Sequence, residues 1–242
     1  MFHFRPLPAL TVACAALFAS LIWLGVWQLD RLQWKLALIA DVDRSLHAPP
    51  VSPDDGGTMQ GLREYTRVAL TGRFDNGKEA YTFGTDAGGA PVYHVIVPFE
   101  TRGGRTFLVD RGIVPKEKRD PATRAAGRIE GITRVVGVWR TPDRPGMFTP
   151  APDLAHRIWY AHDLAAIAKA DGVTLTAPVI VEADATPNPG GWPKGGQTVV
   201  KFRNEHLQYA ITWFLLAAGL LGVYLAYHVS RGRLAIVRAS KT

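Results

Sequence analysis

The chain has 242 residues, a formal net charge of +7 and a single cysteine, Cys14. One cysteine excludes an intramolecular disulfide and any metal site that is built on several thiolates. The length accommodates one domain of about 150 residues together with further segments. The basic balance fits nucleic acid, an acidic membrane surface or an acidic partner, and by itself it does not choose among them.

Two apolar segments, residues 7–29 and 207–229, are each long enough to cross a bilayer, which takes about 20 residues. The first segment could instead be a cleaved signal peptide. Its apolar run is too long for that class of segment, however, and no cleavage site with small residues follows it. We therefore expect two uncleaved transmembrane helices.

Short basic tails flank the two spans at residues 1–6 and 230–242. Their cations are Arg5, Arg231, Arg233, Arg238 and Lys241. Positively charged tails stay on the cytoplasmic side, so we expect both termini inside and residues 30–206 outside. Only six residues precede the first span, which leaves no room for a mitochondrial presequence. A multi-pass protein of the bacterial cytoplasmic (inner) membrane with a periplasmic central domain is therefore predicted.

The segment 30–206 begins with a helical pattern and continues with strands. Leucines at positions 29, 32 and 36 predict that the first helix continues to about residue 46, just before Pro49-Pro50. Asp163 as an N-cap and Gly172 as a stop predict one further helix at residues 163–171. Strands are predicted at Tyr65–Phe74, Glu79–Phe83, Val92–Phe99, Thr106–Asp110, Ile132–Trp139, Arg157–Tyr160, Val179–Glu182 and Thr198–Phe202.

This order of elements predicts the fold class. Many short strands with one helix indicate an α+β domain with mainly antiparallel β structure, barrel- or sandwich-like, between two transmembrane α-helices. Gly72 is interpreted as a turn residue among the strands.

Sequence motifs of catalysis are missing from the chain. It contains no phosphate-binding glycine loop between a strand and a helix, no G-x-S-x-G and no H-E-x-x-H. His47, His94, His156 and His162 are interpreted as surface or hydrogen-bonded histidines. We therefore expect a protein that is not an enzyme and has no catalytic residues.

The second span carries an unusual stripe of residues. At about 100° per residue, one narrow face holds two histidines, two bulky aromatics and two alanines. They are His206, Ala210, Trp213, Ala217, Tyr224 and His228. Alanines permit close approach of another helix or of a flat ligand.

The first span has its own aromatic face, formed by Trp23, Trp27 and Trp34 beside Arg31. Two interpretations of these features stay open from spacing alone. The aromatic residues and His206 could anchor the spans at the membrane surface. Alternatively, His206 could be an axial haem ligand, with Trp27 and Trp213 against the porphyrin and cations such as Arg31 and Arg203 on its propionates.

Two stretches resemble known signatures. "GVWQLDRLQWK" at Gly25–Lys35 and "RNEHLQYAITWF" at Arg203–Phe214 resemble the terminal signatures of the Surfeit locus protein one family, which are assembly factors for cytochrome c oxidase. "YTRVALTGRFDNGKEAY", "FLVDRGIVPKEKRDPATRAAGRIEG" and "PNPGGWPKGGQT" resemble the middle of that family in the same order. The central turn departs from the family's Asn-Arg-Gly-aromatic pattern, because it reads Asp110-Arg111-Gly112-Ile113.

The resemblance implies a bacterial member that binds haem a and assists its insertion into the core subunit of a haem–copper oxidase. His206 is implied as the iron ligand, while Trp213, Trp27, Arg31 and Arg203 are expected to shape the site. The expected partners are the oxidase core subunit and membrane lipid, with haem a synthase as a further candidate and no nucleic acid.

Two other hypotheses remain. One is a cofactor-free membrane scaffold that stabilises the core subunit during assembly. The other is an anchored sensor or ligand-binding module, which is disfavoured because the tail after residue 230 is too short for an output element.

Overall fold

The computed structural model describes residues 2–53, 59, 61–86, 88–142, 145–200 and 202–236. The chain forms two compact units, Met1–Asp41 together with Lys201–Thr242, and Val42–Val200. In chain order the helices and strands are β1 (Phe2–Phe4), α1 (Pro8–His47), β2 (Arg67–Phe74), β3 (Ala80–Thr85), β4 (Pro91–Thr101), β5 (Thr106–Pro115), β6 (Thr133–Arg140), β7 (Ile158–Trp159), α2 (Leu164–Asp171), β8 (Ile180–Ala183), α3 (His206–Ser230) and β9 (Leu234–Ile236).

Helices α1 and α3 are both long and apolar enough to cross a membrane. In their most apolar windows only 6% and 11% of the residues are buried by the rest of the protein. Apolar helices whose faces are left uncovered by protein need a hydrocarbon environment, so this is a membrane protein. Helix α1 continues past its apolar part and ends at His47.

The two ends of the chain pair with each other, which the sequence did not predict. Strands β1 and β9 run antiparallel, with Phe4 opposite Leu234. The backbone N–H of Arg5 donates to the carbonyl oxygen of Arg233 at 2.9 Å. Residues 2–4 and 234–236 therefore lie side by side.

The unit Val42–Val200 is built on a closed β-barrel, which confirms the predicted fold class. Neighbouring strands follow the order β2-β6-β8-β5-β4, and β2 also pairs with β4, so the sheet closes on itself. Strands β3 and β7 extend the sheet from β4. The β5–β8 and β3–β7 pairs are parallel, and the other pairs are antiparallel.

Gly72 lies within β2 at the point of closure, so its interpretation as a turn residue was wrong. It pairs with Thr101 of β4. A Cβ atom at position 72 would lie 2.0 Å from the carbonyl oxygen of Glu100. The position requires glycine because two strands approach there closely.

Alternation along the strands separates the barrel interior from an outer face. Val95, Val97 and Phe99 of β4 point into the interior and are fully buried. The outer face carries an apolar patch covered by Leu164 and Ile167 of α2. As the sequence predicted, the Asp163 side chain caps this helix by accepting from the N–H of Ala166, and Gly172 ends it with φ of 61°.

The strand predicted at Thr198–Phe202 was wrong. Positions 198–200 and 202 are outside any strand, and Lys201 lies outside the described residues. Val199 is 72% exposed. A run of β-branched residues becomes a strand only where a neighbouring strand can pair with it.

Candidate cofactor site in the helix pair

Helices α1 and α3 meet along the stripe that the sequence indicated on the second span. Ala210 and Ala217 are each 1% exposed, and His228 is fully buried. Near one end, the hydroxyls of Thr11 and Tyr224 are 2.7 Å apart. The stripe is therefore the face of α3 that lies towards α1.

His206 is the first residue of α3 and is held by Gln28 of α1. Its Nδ1 lies 2.7 Å from Gln28 Oε1. Because that amide oxygen only accepts hydrogen bonds, Nδ1 carries the proton in this arrangement and Nε2 carries the lone pair. A second residue that fixes the tautomer and orientation of an imidazole is the usual support of a metal-binding histidine.

Trp213 lies on the same stripe as His206, two turns further along α3, and is half-buried. Its indole Nε1 is buried and has no hydrogen-bond acceptor among the residues that the structure describes. A buried indole N–H normally finds an acceptor. This N–H is therefore available to a ligand that carries a polar substituent.

Gln28 is the site residue that sequence reasoning missed. It lies inside the "GVWQLDRLQWK" stretch, next to Trp27, and so was visible as part of a signature. Its contact with His206 could not be predicted from the sequence. Neighbouring positions on a helix differ in direction by about 100°, so the stretch alone does not show which residue faces α3. Only the pairing of α1 with α3 decides which position of the stretch faces His206.

The other three predicted site residues lie on exposed surface. Trp27 is 43% exposed. The Arg31 guanidinium lies 5.9 Å and 5.0 Å from the ring centroids of Trp27 and Trp34. Arg203 is exposed and pairs with Glu205, with Nε 2.6 Å from Oε1. The structure therefore brings His206 and Trp213 together on the helix contact, whereas Trp27, Arg31 and Arg203 lie outside it.

The region that is similar to known proteins includes the barrel and parts of both long helices. The sequence profile of the SURF1 family matches residues 15–218. This chain belongs to the SURF1 family. It is 37% identical over 230 residues to Surfeit locus protein 1 of Takifugu rubripes, covering 88% of this chain and 94% of the relative.

Two other relatives are similar in sequence to this chain over comparable lengths. Surfeit locus protein 1 of Rattus norvegicus is 37% identical over 232 residues, covering 88% of this chain and 74% of the relative. A SURF1-like protein of Rickettsia bellii is 29% identical over 214 residues, covering 87% of each chain. SURF1 membership confirms the resemblance carried by the terminal signatures.

The central turn of this SURF1 chain, Asp110-Arg111-Gly112, is buried. Arg111 is 2% exposed. Its guanidinium donates to the carbonyl oxygen of Gly127 at 2.7 Å and to Asn188 Oδ1 at 3.1 Å. Burial lowers the pKa of Arg111 to about 10, so the group remains a cation at neutral pH.

Gly25 of this SURF1 chain lies against the ring of Phe214 on α3. A Cβ atom there would lie 2.5 Å from Cε1 of Phe214. We expect Gly25→Val to displace the Phe214 ring and to destabilise the helix pair by about 1–3 kcal/mol. Thermal unfolding in detergent, followed by circular dichroism, measures this.

Gly222→Val is the matched control, because a Cβ atom at Gly222 meets open space. Phe214→Ala should restore part of the stability in the Gly25→Val background. Equal losses for the two valine variants would contradict a specific contact at Gly25.

Proposed function

We propose that this protein is an assembly factor for haem–copper cytochrome c oxidase that binds haem a and assists its insertion into the oxidase core subunit. Family membership and the terminal signatures support the assembly role. The observation that carries the cofactor role is the hydrogen bond from His206 to Gln28, which holds an imidazole ready to ligate through Nε2.

The chemistry of two side chains supports haem as the ligand. A neutral imidazole is a common axial ligand of haem iron, and His206 offers one whose tautomer is fixed. The Nε1–H of Trp213 is a buried donor without an acceptor among the described residues, and it suits a polar edge of the macrocycle. Bound haem a would supply the redox-active iron porphyrin that the oxidase core needs.

Trp27, Arg31 and Arg203 remain proposed contacts on the outer surface of the helix pair. An aromatic face suits the porphyrin plane, and guanidinium groups suit propionates. In the structure Arg203 pairs with Glu205, so a propionate would have to compete with that carboxylate. No catalytic step is assigned to any residue.

The proposed location is the bacterial inner membrane, with both termini in the cytoplasm and the barrel in the periplasm. Pairing of β1 with β9 supports a common side for the two basic tails. Anionic lipid headgroups on the cytoplasmic surface would attract such tails. The oxidase core subunit is the proposed partner, and haem a synthase is a further one.

The test is the absorption spectrum of full-length protein purified in detergent from cells that make haem a. We expect haem absorbance in the wild type and its loss in His206→Ala. His228→Ala is the control, because His228 lies on the same stripe but 22 residues further along α3, about 33 Å from His206 by the helical rise. Gln28→Leu should weaken haem binding about 10- to 100-fold, the usual effect of losing such a support.

Unchanged absorbance in His206→Ala, or no absorbance in the wild type, would refute the cofactor role. Loss of haem can be distinguished from loss of the fold, because circular dichroism measures the helices independently of bound haem. Equal loss in His206→Ala and His228→Ala would show a general disruption of the helix pair rather than lost ligation.

A cofactor-free scaffold is the second candidate. The observation that favours it is the uncovered apolar surface of α1 and α3, which helices of a membrane partner could cover. Co-purification of the oxidase core subunit decides between the two. A scaffold retains the core subunit in His206→Ala with unchanged haem content of the subunit, whereas a haem-binding factor retains it with less haem.

A further inference from the structure

A row of polar side chains crosses the outer face of the barrel beside α2. Four neighbouring strands, β3, β4, β5 and β8, each place one apolar residue under α2. These are Ala80, Ile96, Leu108 and Ile180. Each strand also carries a polar residue two positions away from its apolar residue. The step is in the same spatial direction on all four strands, and on the antiparallel strand β4 it therefore runs backwards in sequence. The polar residues are Thr82, His94, Asp110 and Glu182.

Side chains two positions apart share a face of a sheet, so the polar row continues the apolar patch. The register agrees with this within β3–β4 and within β5–β8, where Thr82 pairs with His94 and Asp110 pairs with Glu182. Across β4–β5, Asp110 lies opposite Ile96, so His94 and Asp110 meet diagonally. The β4–β5 register shifts between His94 and Ile96. A bulge of this kind re-aims a side chain, and here it accompanies the contact of His94 with Asp110.

Three members of this region converge. Nδ1 of His94 lies 2.7 Å from Oδ2 of Asp110. His162 precedes α2, and its ring centroid lies 5.5 Å from that of His94, with the rings nearly perpendicular. One ligand atom from each of His94, Asp110 and His162 lies within 4.8 Å of the other two.

The carboxylate of Asp110 is buried and oriented. Asp110 is 3% exposed, and its Oδ1 accepts from the backbone N–H of Gly112 at 2.8 Å. Its Oδ2 is directed at the His94 ring.

Two further groups surround the cluster. Thr82 is 3% exposed, and its hydroxyl has no hydrogen-bond partner within the part of the chain that the structure describes. The charge of Glu182 is opposed by Arg140, whose Nε lies 3.5 Å from Oε1. Asp110 thus supplies a carboxylate in contact with His94, and Thr82 supplies an unused oxygen on the same face.

We propose that His94, Asp110 and His162 bind one divalent first-row transition ion of the zinc and copper type. Two imidazole nitrogens and one carboxylate oxygen form a typical ligand set for such ions, and three protein ligands leave a fourth position for water. The backbone N–H of Gly112 is the support that orients the carboxylate.

Metal binding requires the three ligand atoms, which lie within 4.8 Å of one another, to shift to nearly equal separations. Bonds of about 2.0–2.1 Å in a tetrahedral site separate neighbouring ligand atoms by about 3.3 Å. His94 Nδ1 and Asp110 Oδ2, now 2.7 Å apart, would therefore separate by about half an ångström as the metal replaces the proton that they share. This site is independent of His206 and of the proposed haem binding.

The experiment uses tag-free, full-length protein in detergent, stripped with a chelator and dialysed. Zn²⁺ is titrated in competition with a chromophoric chelator, and Cu²⁺ is followed by electron paramagnetic resonance. We expect one tight ion per chain, with affinity at least about 10-fold lower in His162→Gln and in His94→Gln. The Cu²⁺ spectrum of the wild type should show nitrogen coupling from two imidazoles, and that of His162→Gln from one.

His156→Gln is the matched control. His156 lies in the same unit, pairs with Asp153 at 2.7 Å and has a 63% exposed side chain. Its variant should bind both ions as the wild type does. Far-UV circular dichroism checks the fold of every variant, and His162→Gln carries the test should His94→Gln fail to fold, because His162 lies outside the strands.

Equal zinc affinity in the wild type and in the His94→Gln/His162→Gln double variant would overturn the proposal. So would a Cu²⁺ spectrum that the double variant leaves unchanged. Haem absorbance in the His162→Gln variant separates the two sites, since it should stay at the wild-type level if the haem proposal holds, whatever happens to the metal.

Discussion

Gly112→Ala is expected to cost the barrel unit about 3–5 kcal/mol, enough to unfold a protein of ordinary stability. The backbone at Gly112 has φ of 113°, and a Cβ atom would lie 2.0 Å from the carbonyl oxygen of Lys194. The conformation is unfavourable for any residue with a side chain, and the clash is with backbone that cannot rotate away. The Ile113–Lys194 pairing, with both N–O distances at 3.0 Å, would break.

Chemical denaturation of the full-length protein in mild detergent, followed by near-UV circular dichroism, measures this loss. Gly104→Ala is the control. Gly104 also has a positive φ, of 73°, but a Cβ atom there meets nothing within 4 Å. Gly104→Ala should therefore lose only about 1–2 kcal/mol of stability, the cost of a side chain at a positive φ. Equal losses at the two positions would mean that the approach of Lys194 contributes nothing.

Glu79→Gln is the second substitution with a large expected effect, about 3 kcal/mol of destabilisation. Glu79 is 8% exposed and forms an ion pair with Arg124, whose side chain is 3% exposed. The hydroxyl of Tyr81 lies 2.5 Å from Glu79 Oε1. Removal of the carboxylate leaves the Arg124 cation buried without its counter-charge, and also removes the charge that favours the cationic form of Arg111.

The control for Glu79 is an ion pair of the same type on the surface. Glu100 pairs with Arg73 at 2.9 Å, with side chains 50% and 68% exposed. Glu100→Gln should therefore cost less than about 1 kcal/mol. Arg124→Gln added to Glu79→Gln should restore part of the lost stability, because no unpaired charge then remains at this contact. A strictly additive double variant would contradict the coupling.

The central turn links these effects to the proposed metal site. Three consecutive residues point in different directions: Asp110 to the histidines on the outer face, Arg111 to Gly127 and Asn188, and Gly112 to the Lys194 backbone. Gly112 also holds Asp110 through its N–H. Asp110 supplies the carboxylate on which the metal proposal depends.

Local periodicity was enough to predict several elements. The two spans, the helix capped by Asp163 and most of the strands follow from runs of apolar residues and from turn residues nearby in sequence. The stripe from His206 to His228 could be drawn because a helix repeats about every 3.6 residues, whatever packs against it. Prediction failed where pairing decided the outcome, as at Thr198–Phe202 and at Gly72.

The sequence by itself determined two membrane helices, a mainly antiparallel β domain, the family and the face on which His206 and Trp213 lie. Only the tertiary structure decided that Gln28 rather than Trp27 meets His206, since a shift of one position on α1 changes the face by about 100°. It alone decided that His94, Asp110 and His162 converge. These three residues come close together because of strand register and a bulge, which bring together residues distant in sequence.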